Sequence, residues 1–306
     1  MSDPWWRTAD VTVAVLGALN LGLFLAAKPG AQLDAEETYR EAIEAGNTDA
    51  WVKLGDLLAD QPGREREAEE AYRRGDERGD GGAAYGLGAL LKERGDREGA
   101  EAAWRRGDER GDATAAYNLG VLLEKRGDRE GAEAAWRRGD ERGDAAAAHN
   151  LGVLLEKRGD LEGAEAAWRR GDERGDGTAA ANLGALLEKR GDLEGAEAAG
   201  RRGDERGDGL AAYNLGVLLE KRGDREGAEA AWRRGDERGD ATAAYNLGVL
   251  LEKRGDREGA EAAYRRADER GDADAAYRLG VLLPCAVVRL GSALMTKWRS
   301  TRRRAR

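Results

Sequence analysis

Five asparagines recur at one constant interval, Asn118, Asn150, Asn182, Asn214 and Asn246, each immediately before a Leu-Gly pair. A carboxamide carries one acceptor and two donors, the complement of a peptide's own C=O and N–H. A row of them is therefore suited to holding an extended chain without reading its side chains. Tyr117, Tyr213 and Tyr245 precede three of the five, and Val121, Val153, Val217 and Val249 lie shortly after four of them. These add aromatic and apolar contact area beside the polar row. The same amides are equally suited to satisfying a neighbouring helix end, so the row has a purely architectural reading beside the binding one.

Covalent, redox and metal chemistry have no comparable set of residues. His149 is the only histidine and stands where sibling segments have Tyr117, Tyr213 and Tyr245, which reads as a tyrosine substitute. Cys285 is the only cysteine, so a zinc site lacks ligands, and the chain has no internal disulfide and suits a reducing compartment. Serines occur only at positions 2, 292 and 300, too few for a nucleophilic triad. The many carboxylates recur with Lys and Arg nearby, in the pattern of helix caps and solvated helix faces. The glycines are spread along the chain and form no phosphate-cradling loop after a strand. These residues predict a protein that is not an enzyme and holds no cofactor or metal. The net charge of −9, with no basic stripe, argues against nucleic acid as a partner.

The elements that must position the asparagines follow from the same period. Gly88, Gly120, Gly152, Gly184, Gly216, Gly248 and Gly280 repeat at the interval of the asparagines. Gly55 and Gly22 extend the series backwards with one extra residue per step, in connections that contain Pro62 and Pro29. Nine units result, and a period of this size signals a solenoid. Ala116, Leu119, Gly120 and Leu123 share one face of a helical period, and Ala132, Ala135, Trp136 and Gly139 share another. Each unit is thus a pair of helices, and the fold class is all-α. At the junctions, Lys125-Arg126-Gly127-Asp128 and Arg142-Gly143-Asp144 supply cations for a helix C-terminus, a glycine for the left-handed turn and an aspartate to cap the next helix. The recurring Arg-Gly-Asp is accounted for as backbone punctuation, not as an adhesion ligand.

Gly120, Ala132 and Gly139 let helices approach closely while Trp136 and Leu123 fill the remaining space. One unit departs from this: Ala181 stands at the tyrosine position and Gly200 at the tryptophan position. That predicts weaker packing around residues 181 to 200.

The pattern Leu119-Gly120, Gly127, Ala132, Trp136 resembles the tetratricopeptide repeat, and Glu141 to Ala145 leading into Asn150-Leu151-Gly152 resembles the related Sel1-like repeat. The resemblance covers about residues 14 to 283. It departs from the family in lacking the inter-repeat proline, in having Gly139 where alanine is usual except at Ala267, and in a slightly shorter unit. It implies an α-α superhelix, a right-handed solenoid whose first helices line the concave side. It also implies that the residue before Leu-Gly points into that groove, which makes Asn118, Asn150, Asn182, Asn214 and Asn246 a peptide-binding row flanked by Tyr117, Tyr213 and Tyr245, with Asn20 in the same series. A protein or peptide partner on this groove, and a scaffold role in the cytoplasm, are the functional expectations.

The ends break the pattern. Residues 11 to 27 form an apolar run with only Thr12 and Asn20 polar, at the lower length limit of a membrane span, yet Leu21-Gly22, Ala35 and Tyr39 keep it in the repeat register. The repeat reading makes residues 1–283 one array; the rival is an assembly factor anchored in a membrane through residues 11–27. A regulatory array for a separate enzyme is a further alternative, and oligomeric state is open. Residues 284–306 begin at Pro284 and carry seven Lys or Arg and no acidic side chain, as befits a cap, a contact for an anionic surface or a degenerate end.

Overall fold

The computed structural model describes residues 19, 21–28, 30 and 32–282, and every regular element among them is helical. The chain divides into two compact units, residues 1–159 and 160–306. The first contains α1 (Gln32–Glu44), α2 (Ala50–Ala59), α3 (Glu65–Glu77), α4 (Gly81–Glu93), α5 (Arg97–Glu109), α6 (Ala113–Arg126), α7 (Arg129–Glu141) and α8 (Ala145–Lys157). The second contains α9 (Leu161–Glu173), α10 (Gly177–Lys189), α11 (Leu193–Glu205), α12 (Gly209–Lys221), α13 (Arg225–Glu237), α14 (Ala241–Arg254), α15 (Arg257–Glu269) and α16 (Ala273–Leu282). Within each unit every helix packs on the next. Helices that carry Leu-Gly are termed A helices, and those that carry the aromatic residue B helices.

Caps set the helix boundaries. Asp112 accepts a hydrogen bond from the Ala115 N–H (2.6 Å) and Asp128 from the Gly131 N–H (2.9 Å), so A and B helices begin with the same device. Gly127, at φ +89°, ends α6, and the Asp128 N–H then donates to the Leu123 carbonyl at 2.9 Å. Left-handed glycines recur at half the repeat interval from Gly79 to Gly271, as in Gly111, Gly127 and Gly143, so each repeat is two half-units of equal length. Every aspartate of the Arg-Gly-Asp junctions from Asp80 to Asp272 whose cap is defined caps a helix, as the spacing predicts. The first repeat keeps register among its described residues: Gly22 is buried, and a Cβ there would stand 2.4 Å from the Tyr39 ring.

The core is built from small and large residues in alternation. Trp136 is 1% exposed, and a Cβ on Gly120 would meet its indole at 2.5 Å. The ring therefore lies against bare A-helix backbone, and its Nε1 donates to the Tyr117 carbonyl at 3.2 Å. Gly88 with Trp104 and Gly216 with Trp232 repeat this arrangement. Gly139 serves the next interface: a Cβ there would stand 2.8 Å from that of Ala147.

In the repeat of α10 and α11 the neighbours take up the missing aromatic volume. Ala181 and Gly200 are buried, and α10 and α12 meet along a longer contact than other A-helix pairs within either unit. The nearest atoms to a Cβ on Gly200 would be those of Leu215, at 3.4 Å or more, an ordinary contact. Gly200→Ala is therefore expected to raise stability by about 0.5–1 kcal/mol, the usual gain from removing a mid-helix glycine. A shift of the urea midpoint to higher concentration measures it, and a lower midpoint contradicts the packing described.

Candidate peptide-binding groove

Asn118 lines a cleft of 760 Å³ between α5 and α6, with Val121, Leu122 and Lys125 beside it on the α6 wall. The opposite wall comes from α5 and includes Trp104, whose Nε1 donates to the Tyr85 carbonyl at 3.2 Å. Lys92 of α4 completes the lining, its Nζ 5.9 Å from the Trp104 ring centroid. The arrangement follows from the repeat: Leu119 and Gly120 turn inward to the core, so the residue before them stands at the edge of the packed face.

Asn118, Asn150, Asn182, Asn214 and Asn246 are all half-buried, as are Tyr117, Tyr213 and Tyr245. The Asn118 amide donates to the Thr114 carbonyl one turn back (2.9 Å), which steadies its side chain and leaves its carbonyl oxygen and second N–H for other partners. Tyr117 and Tyr213 also give their main-chain carbonyls to Trp136 and Trp232, while the Tyr245 ring packs on Tyr264 with centroids 5.7 Å apart. The row lapses at Gly86 for a steric reason: a Cβ there would lie 2.4 Å from the Tyr72 ring. Asn20 lies outside the described residues. His149 is half-buried in the tyrosine register.

The carboxylates correct the expectation of a merely solvated surface. Asp76, Asp108, Asp172, Asp204 and Asp236 are at most 5% exposed, and each is clamped by two arginines of the following B helix and its end. At Asp108, Arg138 Nε donates to both oxygens (3.0 and 2.9 Å) and Arg142 Nη1 to Oδ1 (2.6 Å). Burial pushes these five carboxyls upward, but the arginine hydrogen bonds outweigh it and hold them below the usual range. The signal was present in the sequence, where Asp108 is answered one repeat later by Arg138 and Arg142, and Asp204 likewise by Arg234 and Arg238. A second ladder joins A helices: Glu124 to Lys157 (4.0 Å), Glu188 to Lys221 (2.6 Å) and Glu220 to Lys253 (3.5 Å).

No group of three or more His, Cys, Asp or Glu side chains among the described residues is placed to hold a metal ion. No helix of the described residues is long and apolar enough to cross a membrane, and residues 11–18 and 20 of the apolar run lie outside them. The divergent segment after residue 283 lies outside them as well.

Paired helices, capped alike and locked by an aromatic residue on a glycine, define an α-helical repeat protein of the solenoid class. The tetratricopeptide repeat profiles match residues 81–106, 113–138, 145–171 and 213–276. Among solved structures, c5321, a protective antigen of uropathogenic Escherichia coli with an SLR fold, is similar with a TM-score of 0.73 at 23% identity, over 96% of this chain and 70% of that one. A Sel1 repeat protein from Oxalobacter formigenes is similar with a TM-score of 0.65 at 21% identity, over 92% of each chain. The APC/C hetero-tetramer Cut9-Hcn1 contains a chain that is similar with a TM-score of 0.53 at 13% identity, over 85% of this chain and 54% of that one. No curated protein matches significantly in sequence. Tetratricopeptide repeat profiles thus match parts of both units, and the fold is the all-α solenoid of the tetratricopeptide and Sel1-like type.

Proposed function

We propose that this protein is a non-catalytic scaffold that holds extended segments of a partner protein along the row asparagines of each unit. The cleft at Asn118 carries the reading: a 760 Å³ space with an apolar floor at Val121 and Leu122 and a steadied amide at its edge suits a peptide backbone with small apolar side chains. Half-burial of the other four row asparagines supports the same use in their repeats. That a chain of the hetero-tetramer Cut9-Hcn1 is similar in fold accords with a scaffold. A cytoplasmic setting accords with the lone cysteine.

Changing Asn118, Asn150, Asn182 and Asn214 together to alanine is expected to weaken partner capture at least tenfold, given about 0.5–1.5 kcal/mol for each lost hydrogen bond. Helical content should be unchanged, because the row stands at the edge of the packed face and alanine is the better helix former. The measurement is affinity capture followed by titration of the captured partner, with circular dichroism as the folding control. Undiminished capture by the quadruple variant rules the row out as the binding element.

A further inference from the structure

One rung of the A-helix charge ladder is inverted. In sibling repeats the fourth residue after the Leu-Gly glycine is a glutamate that pairs with a lysine on the next A helix, as in Glu188 with Lys221 and Glu220 with Lys253. In α4 that position is Lys92, because residues 92–93 read Lys-Glu where the siblings read Glu-Lys. Lys125, which holds the lysine position on the next A helix, is therefore matched with a second cation, and both line the cleft that holds Asn118.

The remaining charges of that cleft do not restore balance. Arg97 adds a third cation to the lining. Glu101 is already occupied, accepting from Arg105 at 2.9 Å and Arg126 at 2.7 Å. Glu98 is the one other carboxylate of the lining, against Lys92, Arg97 and Lys125. A net positive cleft stands out in a chain whose overall charge is −9. A crevice over Leu119 and Leu123, by contrast, has Arg138 and Arg142 committed to Asp108 and Arg105 to Glu101, and offers no such excess.

We infer that this cleft selects an acidic side chain of the bound peptide, its carboxylate received by Lys92 and Lys125 while its main chain runs along Asn118. The assignment rests on the groove reading above and adds to it the sign and place of the charge. Val121, Leu122 and Trp104 favour an apolar residue next to the acid. Lys92, drawn over the indole, keeps its ammonium at the cleft, where an exposed pair remains sensitive to salt.

The test is fluorescence anisotropy of the full chain with two labelled nonapeptides, one a Ser-Glu-Leu repeat and the other Ser-Gln-Leu. At low salt the acidic peptide is expected to bind about tenfold more tightly, the order expected of a few partly exposed charge pairs. Lys92→Glu, which installs the sibling residue and so preserves the fold, should reduce the ratio to about one. Glu220→Lys should raise it further by opening a second such cleft. Equal binding of both peptides, or an acidic preference that survives Lys92→Glu, overturns the charge assignment and leaves the groove standing. Failure of both peptides to bind overturns the groove and the assignment together.

Discussion

Trp136→Ala is expected to lower the stability of its repeat by about 3–5 kcal/mol, the range for a buried aromatic cut to a methyl. The indole is 1% exposed, lies on the bare backbone of Gly120 and spends its N–H on the Tyr117 carbonyl. None of these contacts has a substitute within the pair of α6 and α7. The partner glycine supplies the diagnostic. Gly120→Ala alone should destabilise, because its Cβ would intrude to 2.5 Å from the ring. In the Trp136→Ala background the obstacle is gone, and the same change should become neutral or favourable by up to about 1 kcal/mol, as for a glycine in any helix interior. A double-mutant cycle by urea unfolding reads this reversal. Simple additivity of the two changes would show that glycine and tryptophan are not partners.

Asp108→Asn is the second large effect, expected at about 2–3 kcal/mol at neutral pH, below the roughly 3–5 kcal/mol for a fully buried pair because Arg138 and Arg142 can rehydrate. The two arginines come from the following B helix and its end, so the loss falls on an interface between repeats. Amide hydrogen exchange in α5 and α7 is the local readout, since repeat arrays need not unfold as one. The effect must depend on pH. The Asp108 carboxyl titrates below its unfolded value of about 3.9 when folded, so its stabilisation is complete above that pH and disappears as pH falls through the folded value. Wild type and Asp108→Asn should therefore differ most near pH 7 and converge as pH falls through the folded value. A difference that does not shrink as the pH is lowered would mean that the asparagine damages packing, not charge.

The helix pairs were legible because two local rules agree at each boundary. Gly127 and Gly143 announce the turn, and Asp128 and Asp144 the next start, and each does in the structure what its chemistry allows. The glycine and tryptophan partnership was legible only as small and large positions. That Gly120 faces Trp136 depends on how the two helices cross, which periodicity on one helix does not state. The clamp on Asp108 was harder still, because an aspartate in the last turn of a helix reads as solvated until the next B helix covers it. For the groove, the register of Asn118 is plain in the chain, but the cleft also needs Arg97 and Trp104 from another helix and Lys92 from a third. The swap of Lys92 and Glu93 is visible in the letters, yet it acquires meaning only when Lys125 is found in the same cleft.

The even spacing of left-handed glycines has an evolutionary corollary. Because each link is followed by an interchangeable aspartate cap, excising residues 113–144 would leave Asp112 followed by Ala145, the same punctuation that Asp144 gives to α8. Unequal recombination between near-identical copies can then lengthen or shorten the gene by whole modules without creating a faulty joint. Reach becomes a quantity that selection can adjust in integer steps, while individual modules such as the one carrying Lys92 remain free to acquire their own preferences.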